Sequence, residues 1–295
     1  MAVTRRHFLA LTGGAAVAWE YLLAGTPEQS PNYKMADHWW GMLIDITKCI
    51  GCRACEQACK EVHHFPMEHE PVLSATALTV VEERGDKFVR RLCMHCQEPA
   101  CASVCPVGAL KKTAFGPVVY DGKKCIGCRY CMLGCPYSVP RYEWSKLAPY
   151  VRKCDMCAER LAAGKMTACA EACPVGATIF GDRDELLVEA QKRIRENPAY
   201  VNQIYGSEEE VGGASVFFLS DVPFEKLGFV KPPQTTPLPA LSEAALGEMP
   251  TVVMIGGSLL AGLYWFTQRR QQVMAAEAAE KEAKNVLYSR DRERS

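Results

Sequence analysis

Neither sign of charge predominates in this sequence: 34 lysines and arginines stand against 34 aspartates and glutamates, for a formal net charge of zero. A nucleic-acid partner or a wholly membrane-surface protein therefore has no electrostatic case. A glycine pattern for nucleotide phosphates is missing, and so is any serine or cysteine nucleophile constellation. None of the C-x-x-C pairs is followed by histidine, which excludes c-type haem attachment. Cysteine itself is missing before Cys49 and after Cys173. Between those positions lie all 16 cysteines of the 295-residue chain, which at 48% hydrophobic content is long enough for one or two globular domains.

The cysteines fall into four sets. The first is Cys49, Cys52, Cys55 and Cys59, and the third repeats its spacing at Cys125, Cys128, Cys131 and Cys135, followed by Pro136. The second is wider, Cys93, Cys96, Cys101 and Cys105, then Pro106; the fourth is wider still, Cys154, Cys157, Cys169 and Cys173, then Pro174. The tight sets match the bacterial ferredoxin run C-x2-C-x2-C-x3-C-P, whose fourth cysteine ligates the other cluster of a pair. The physical basis is reach. Three thiolates in one tight loop bind three corners of a cubane, while the cysteine after the x3 step starts a helix pointing toward a neighbouring cluster.

An even cysteine count in an exported protein ordinarily favours disulfides, but disulfides within C-x2-C-x2-C are geometrically crowded. Structural zinc takes four thiolates per site, typically from two C-x2-4-C pairs rather than runs of four. The spacing points instead to four [4Fe–4S] clusters. CIGCRAC at Cys49 answers CIGCRYC at Cys125, and CPVGA at Cys105 answers CPVGA at Cys173. Each two-cluster module thus combines a tight set with a wide one. The repeats allow first with second plus third with fourth, or first with fourth plus second with third, and do not choose.

The flanks differ from this core. Thr4-Arg5-Arg6-His7-Phe8-Leu9 and the uncharged stretch to Trp19 resemble a twin-arginine export signal, spanning residues 1–30, although Glu20 follows the apolar run and no clean A-x-A site comes after it. Asp184 to Arg195 has helical apolar spacing and is expected as an amphipathic surface helix, and Ser215 to Leu219 as a short strand. From Pro223 to 249, prolines 232, 233, 237 and 239 mark an expected extended linker. Pro250 to Thr267 carries no charge. As a helix it rises about 27 Å, close to the roughly 30 Å hydrocarbon core, so a transmembrane helix is expected over 250–268. Tyr264, Trp265 and Phe266 suit one interface, and Arg269 and Arg270 place the 269–295 tail in the cytoplasm and the cysteines outside.

The span from MLIDITKCIGCRAC through CPVGATIFGDRDEL resembles the four-cluster iron–sulfur subunits of the dimethyl sulfoxide reductase type. Within that type it is most similar to the ferredoxin-like subunit of membrane-bound [NiFe] hydrogenases of the hydrogenase-2 kind, through RLCMHCQEPACASVCPVGALKK, CIGCRYCMLGCPYSVPRYEW, the export signal and the single C-terminal span. The resemblance implies pairing of the first set with the fourth and the second with the third. One cluster would take Cys49, Cys52, Cys55 and Cys173, its neighbour Cys154, Cys157, Cys169 and Cys59. The inner module would hold one cluster on Cys93, Cys96, Cys101 and Cys135, and one on Cys125, Cys128, Cys131 and Cys105.

The fold so implied is α+β. It comprises two ferredoxin-like modules over 39–222, the inner one (about 90–145) inserted in the other, and a C-terminal transmembrane helix. The function implied is that of an electron wire without a catalytic centre, on the periplasmic side of the inner membrane. Its partners would be the small and large subunits of a [NiFe] hydrogenase and a polysulfide-reductase-type, quinone-binding membrane subunit. One rival is the same wire serving a molybdopterin enzyme such as formate dehydrogenase; another is a cluster-bearing structural adaptor that never turns over electrons. Lys60 stands after Cys59 where the other sets have proline, and is expected to loosen that turn. His63, His64 and His69 read as a solvated polar loop, His95 as a residue beside a cluster, Gly51 and Gly127 as backbone freedom for the ligand loops, and Trp39, Trp40, Tyr142 and Trp144 as core.

Overall fold

The computed structural model describes residues 39–293 except 145, 147–148 and 232–234, so the twin-arginine segment lies outside the described residues. The body is organised around β1 (Trp40–Asp45), which pairs antiparallel with β8 (Thr178–Asp182) on one edge and parallel with β9 (Val216–Leu219) on the other. As the middle strand it is covered on both faces, and its sequence WGMLID is correspondingly apolar up to its last residue, Asp45. Met42, Ile44, Val216 and Phe218 point into the main core beside the cysteines. Leu43, Phe217 and Leu219 point the other way, against Leu186 and Ala190 of α6 (Arg183–Glu196). The expected strand and surface helix are thus both present.

The α6 boundaries follow from local chemistry. The Asp182 carboxylate accepts from the backbone N–H groups of Asp184 (2.9 Å) and Glu185 (3.4 Å), with acids in the first turn and Arg193 and Arg195 in the last. Arg193 Nη1 and the Tyr200 hydroxyl donate at 3.1 and 2.8 Å to the fully buried Asp45 at the end of β1, tying helix to sheet. Three hairpins complete the body: β2 (Val80–Arg84) with β3 (Lys87–Arg91), β4 (Leu110–Lys112) with β5 (Val118–Tyr120), and β6 (Arg141–Tyr142) with β7 (Val151–Arg152).

Short helices carry or flank the cysteines: α1 (Ala54–Val62), α2 (Ala100–Ser103), α3 (Tyr130–Leu133), α4 (Ala158–Ala162) and α5 (Ala168–Glu171). Helices α2, α3 and α5 stop just before a Cys-Pro pair, because the residue preceding proline is pushed out of the helical region. Lys60 does not loosen the corresponding place. Without proline there, α1 continues through Cys59, and Lys60 is buried, its Nζ donating to the Glu68 carbonyl at 2.6 Å and to Glu70 Oε1 at 3.0 Å.

The segment after Pro223 also departs from expectation. Phe224, Leu227 and Phe229 are buried, and the two phenylalanine rings pack edge-on or tilted against Tyr205 and Phe218, so the body extends to about residue 230. The remainder does not run extended to 249, because α7 begins at Leu238 and continues unbroken to Glu293. Pro239 falls in its first turn, where no intrahelical N–H is needed, and the helix passes through Pro250. This helix is long and apolar enough to cross a membrane, and none of its apolar window is buried against the body.

Candidate iron–sulfur site

The two tight loops bend the same way. Gly51 and Gly127 have φ of +70° and +74°, and Arg53 and Arg129 are also left-handed at +58° and +65°. The wide sets use other residues for the same turn, His95 at +50° and Met156 and Cys157 at +58° and +51°. Left-handed residues alternating with ordinary ones turn successive N–H groups toward one side, making a concavity suited to an anion. Glycine supplies this conformation without strain, as expected for Gly51 and Gly127.

All sixteen cysteines are free thiols. Antiparallel pairing of β1 with β8 draws the start of the first set to the end of the fourth, and α1 packs on α5. Burial pushes the Cys49 thiol up against a Gly51 backbone hydrogen bond, and the neighbouring charges of Cys173 and Cys52 add to the rise. Burial likewise raises Cys59, with Cys169 and Cys157 as its nearest like charges, and Cys154, with Cys59 foremost. In the middle of the chain, α2 packs on α3. Cys93, Cys96, Cys101 and Cys135 line one small cavity and Cys105, Cys125, Cys128 and Cys131 another. Burial, then the charges of Cys105, Cys125 and Cys128, push Cys131 up to about 11.

Thiols of the first set thus approach those of the fourth and thiols of the second those of the third, and the groups expected from the sequence also influence one another in turn. Cys55, pushed up to about 11 chiefly by burial, feels the charge of Cys169 in the next group. Cys154 feels Cys93 in the one after, and Cys101, pushed by burial to about 12, feels Cys131 in the last. Cys52 and Cys128, at opposite ends of the series, are exposed.

Crowded, buried thiols hold their protons until a metal takes their place, and two further observations fit such an occupant. Arg90 and Lys153 are buried, yet among the described residues neither forms an ion pair with a carboxylate; apart from the Arg90 bond to Cys169, they donate to neutral oxygens. Arg90 reaches Thr79 Oγ1 (2.8 Å) and Thr178 Oγ1 (3.0 Å); Lys153 reaches the carbonyls of Val118 and Cys154. A buried cation requires a counter-charge, and ligating thiolates supply it. His95 Nδ1 accepts from Val118 N at 2.9 Å, so its ring proton sits on Nε2, which has no acceptor among the described residues. The buried Tyr142 hydroxyl beside the Gly127 loop lacks one too. Sequence patterning did not single out Arg90 or Lys153, since a lone basic residue in a strand or loop reads as surface.

Other expectations are revised. His63 is not a solvated side chain: its Nε2 lies 3.4 Å from Asp155 Oδ1, its ring stacks on Phe65, and hydrogen bonding to Asp155 raises it to about 9. His69 Nδ1 lies 3.1 Å from Glu56 Oε2. Tyr142 is core, but Trp144 is exposed.

Two family models, each described as a 4Fe-4S dicluster domain, match residues 48–109 and 86–183. The hydrogenase-2 operon protein HybA of Escherichia coli O157:H7 is 34% identical over 78% of this chain and 84% of its own length. The chain belongs to this family of iron–sulfur electron-transfer subunits. Further relatives include the formate dehydrogenase iron–sulfur subunit of Haemophilus influenzae, 33% identical over 76% of this chain and 79% of its own length. Another is a subunit of the anaerobic dimethyl sulfoxide reductase of Escherichia coli K12, 40% identical over 50% of this chain and 75% of its own. As a member of the family, the subunit carries four [4Fe–4S] clusters on its 16 cysteines.

Proposed function

We propose that this subunit relays single electrons between a periplasmic [NiFe] hydrogenase subunit pair and a quinone-reactive membrane subunit, and has no catalytic centre of its own. The observation that carries this reading is the unbroken succession of four thiol groups from exposed Cys52 to exposed Cys128. The ligand sets that go with it are Cys49, Cys52, Cys55 and Cys173; Cys154, Cys157, Cys169 and Cys59; Cys93, Cys96, Cys101 and Cys135; and Cys125, Cys128, Cys131 and Cys105. Strand pairing of β1 with β8 and packing of α2 on α3 support this exchange of cysteines, and with it an inner module inserted in an outer one. When bound, each cluster supplies a one-electron carrier at a potential set by its charge, hydrogen bonds and exposure.

The chain's own part is to hold thiolates at fixed places, exclude water from the middle groups and leave the end groups open to partners. Its C-terminal helix anchors it, with the tail cytoplasmic. The paired Arg5-Arg6 favours the hydrogenase, because formate dehydrogenase wires usually travel with a signal-bearing catalytic subunit. Membranes containing the complex should reduce quinone with hydrogen, and deletion of this chain should abolish that activity while hydrogen oxidation by an artificial dye survives. Quinone reduction by formate and not by hydrogen would transfer the subunit to a molybdopterin partner.

A further inference from the structure

Arg90 and Lys153 differ in which cysteines they face. Lys153 lines the cavity formed by Cys93, Cys96, Cys101 and Cys135, and its own neighbour in sequence, Cys154, belongs to the adjoining group. Its Nζ is bonded to the carbonyls of Val118 and Cys154, and the nearby Asp155 is engaged with His63. Arg90 sits on β3, clamped by Thr79 and by Thr178, the first residue of β8 after the fourth set. Its guanidinium faces Cys169, Cys55 and Cys154. The Cys154 group therefore lies between both charges. Among the described residues, the group at the Cys128 end has no comparable cation: Arg129 is exposed, over the rings of Tyr142 and Trp144, where water and salt screen it.

We propose that Lys153 and Arg90 are positioning charges that raise the reduction potentials of the clusters they face, leaving the cluster at the Cys128 end without such help. The inference rests on the ligand sets given above. Reduction adds one electron to a thiolate-bound group that is already an anion. A fixed cation within a low-dielectric interior favours the added charge far more than one in water. Lys153 acts on the Cys93 and Cys154 groups, Arg90 on the Cys154 and Cys55 groups. The Cys154 cluster, between the two, is then the most readily reduced point of the series and the place where an electron rests.

The test is a redox titration of the full chain in its complex, followed by electron paramagnetic resonance, with a chemical reductant supplying one electron per cluster. Lys153→Gln should move two of the four waves downward by about tenfold in the reduction equilibrium, about 59 mV for a one-electron couple. Arg90→Gln should also move two, one of them shared with Lys153→Gln. Lys153→Arg and Arg90→Lys should hold the original potentials. Unchanged waves at full iron content would overturn the proposal, as would an equal shift of all four, or conservative variants that shift as far as the neutral ones. Should one neutral variant lose iron, the waves of the other decide; iron loss in both would make the charges requirements of assembly and also overturn it. Fewer than four waves in the unsubstituted chain would instead count against the ligand sets.

Discussion

The loops CIGCRAC at Cys49 and CIGCRYC at Cys125 differ in one residue, and their backbones match at both left-handed positions. The helices that leave these loops do not match. Helix α1 runs nine residues and passes through Cys59, whereas α3 is four residues long and ends before Cys135. The loop is specified by its own residues, glycine above all, but the helix is specified by the residue after the fourth cysteine. Pro136 has no N–H and restricts Cys135, while Lys60 has one and continues the helix. Near-identical motifs therefore deliver their outgoing thiols from different supports, one from inside a helix and one from beyond its end.

The largest effect should come from cutting each loop off from its distant cysteine. Cys173→Ser should empty the group of Cys49, Cys52 and Cys55, and Cys105→Ser that of Cys125, Cys128 and Cys131. Iron should fall from about sixteen to about twelve per chain in each case. Loss of the Cys154, Cys157 and Cys169 signal in Cys173→Ser would break the parallel between the loops. Next, Lys60→Pro should destabilise the chain by about 3 kcal/mol or more in urea unfolding, since it interrupts α1. Pro136→Ala should cost less than about 1 kcal/mol, and equal costs would show that proline is not the source of the difference.

Gly51→Ala and Gly127→Ala sharpen the comparison further. Both incur about 1–2 kcal/mol for a left-handed backbone. A methyl at 51 would also meet the Phe88 ring at 2.5 Å, while one at 127 would meet only the Tyr142 hydroxyl at 3.0 Å. The first substitution should therefore lower the urea midpoint more than the second. The smallest effect concerns the Lys60–Glu70 pair, which has no counterpart at Pro136. Burial pulls the Glu70 carboxyl up, but hydrogen bonds from Ser74, Thr76 and Lys60 outweigh it and hold the group below its ordinary 4.5. A depressed carboxyl stabilises the fold above its unfolded pKa and ceases to do so as pH falls through the lower folded value. The deficit of Glu70→Gln relative to the unsubstituted chain should thus be full above pH 4.5 and shrink on further acidification, as read by unfolding at each pH.

Much of this architecture is legible in the sequence. Spacing alone divides the cysteines into sets, glycine marks the loop turns, a short apolar run locates β9, and helical periodicity locates α6. The run from Pro250 to Thr267 stands out by its lack of charge. The features that escape have no periodicity to betray them. Phe224, Leu227 and Phe229 follow a proline and fit neither a strand nor a long helix, yet they close the core against Tyr205. Lys153 and Arg90 are invisible as buried charges because most of the cysteines they face come from elsewhere in the chain. The helical stretch before Pro250 is masked by Pro239, which is harmless in a first turn.

The pairing of β1 with β8 has a consequence in time. Trp40 and Asp182 are register partners although about 140 residues separate them, whereas the strands β4 and β5 of the middle region are joined by a short turn. Closing a short loop is fast and costs little entropy, and closing a long one waits on everything between. With the ligand sets proposed above, the stretch from Cys93 to Cys135 would have all its cysteines in hand on the ribosome while the first set still lacked Cys173. On those sets the earliest cysteines to be synthesised are among the last to be completed, and a chain released before Cys173 would carry an open first site whatever its local sequence.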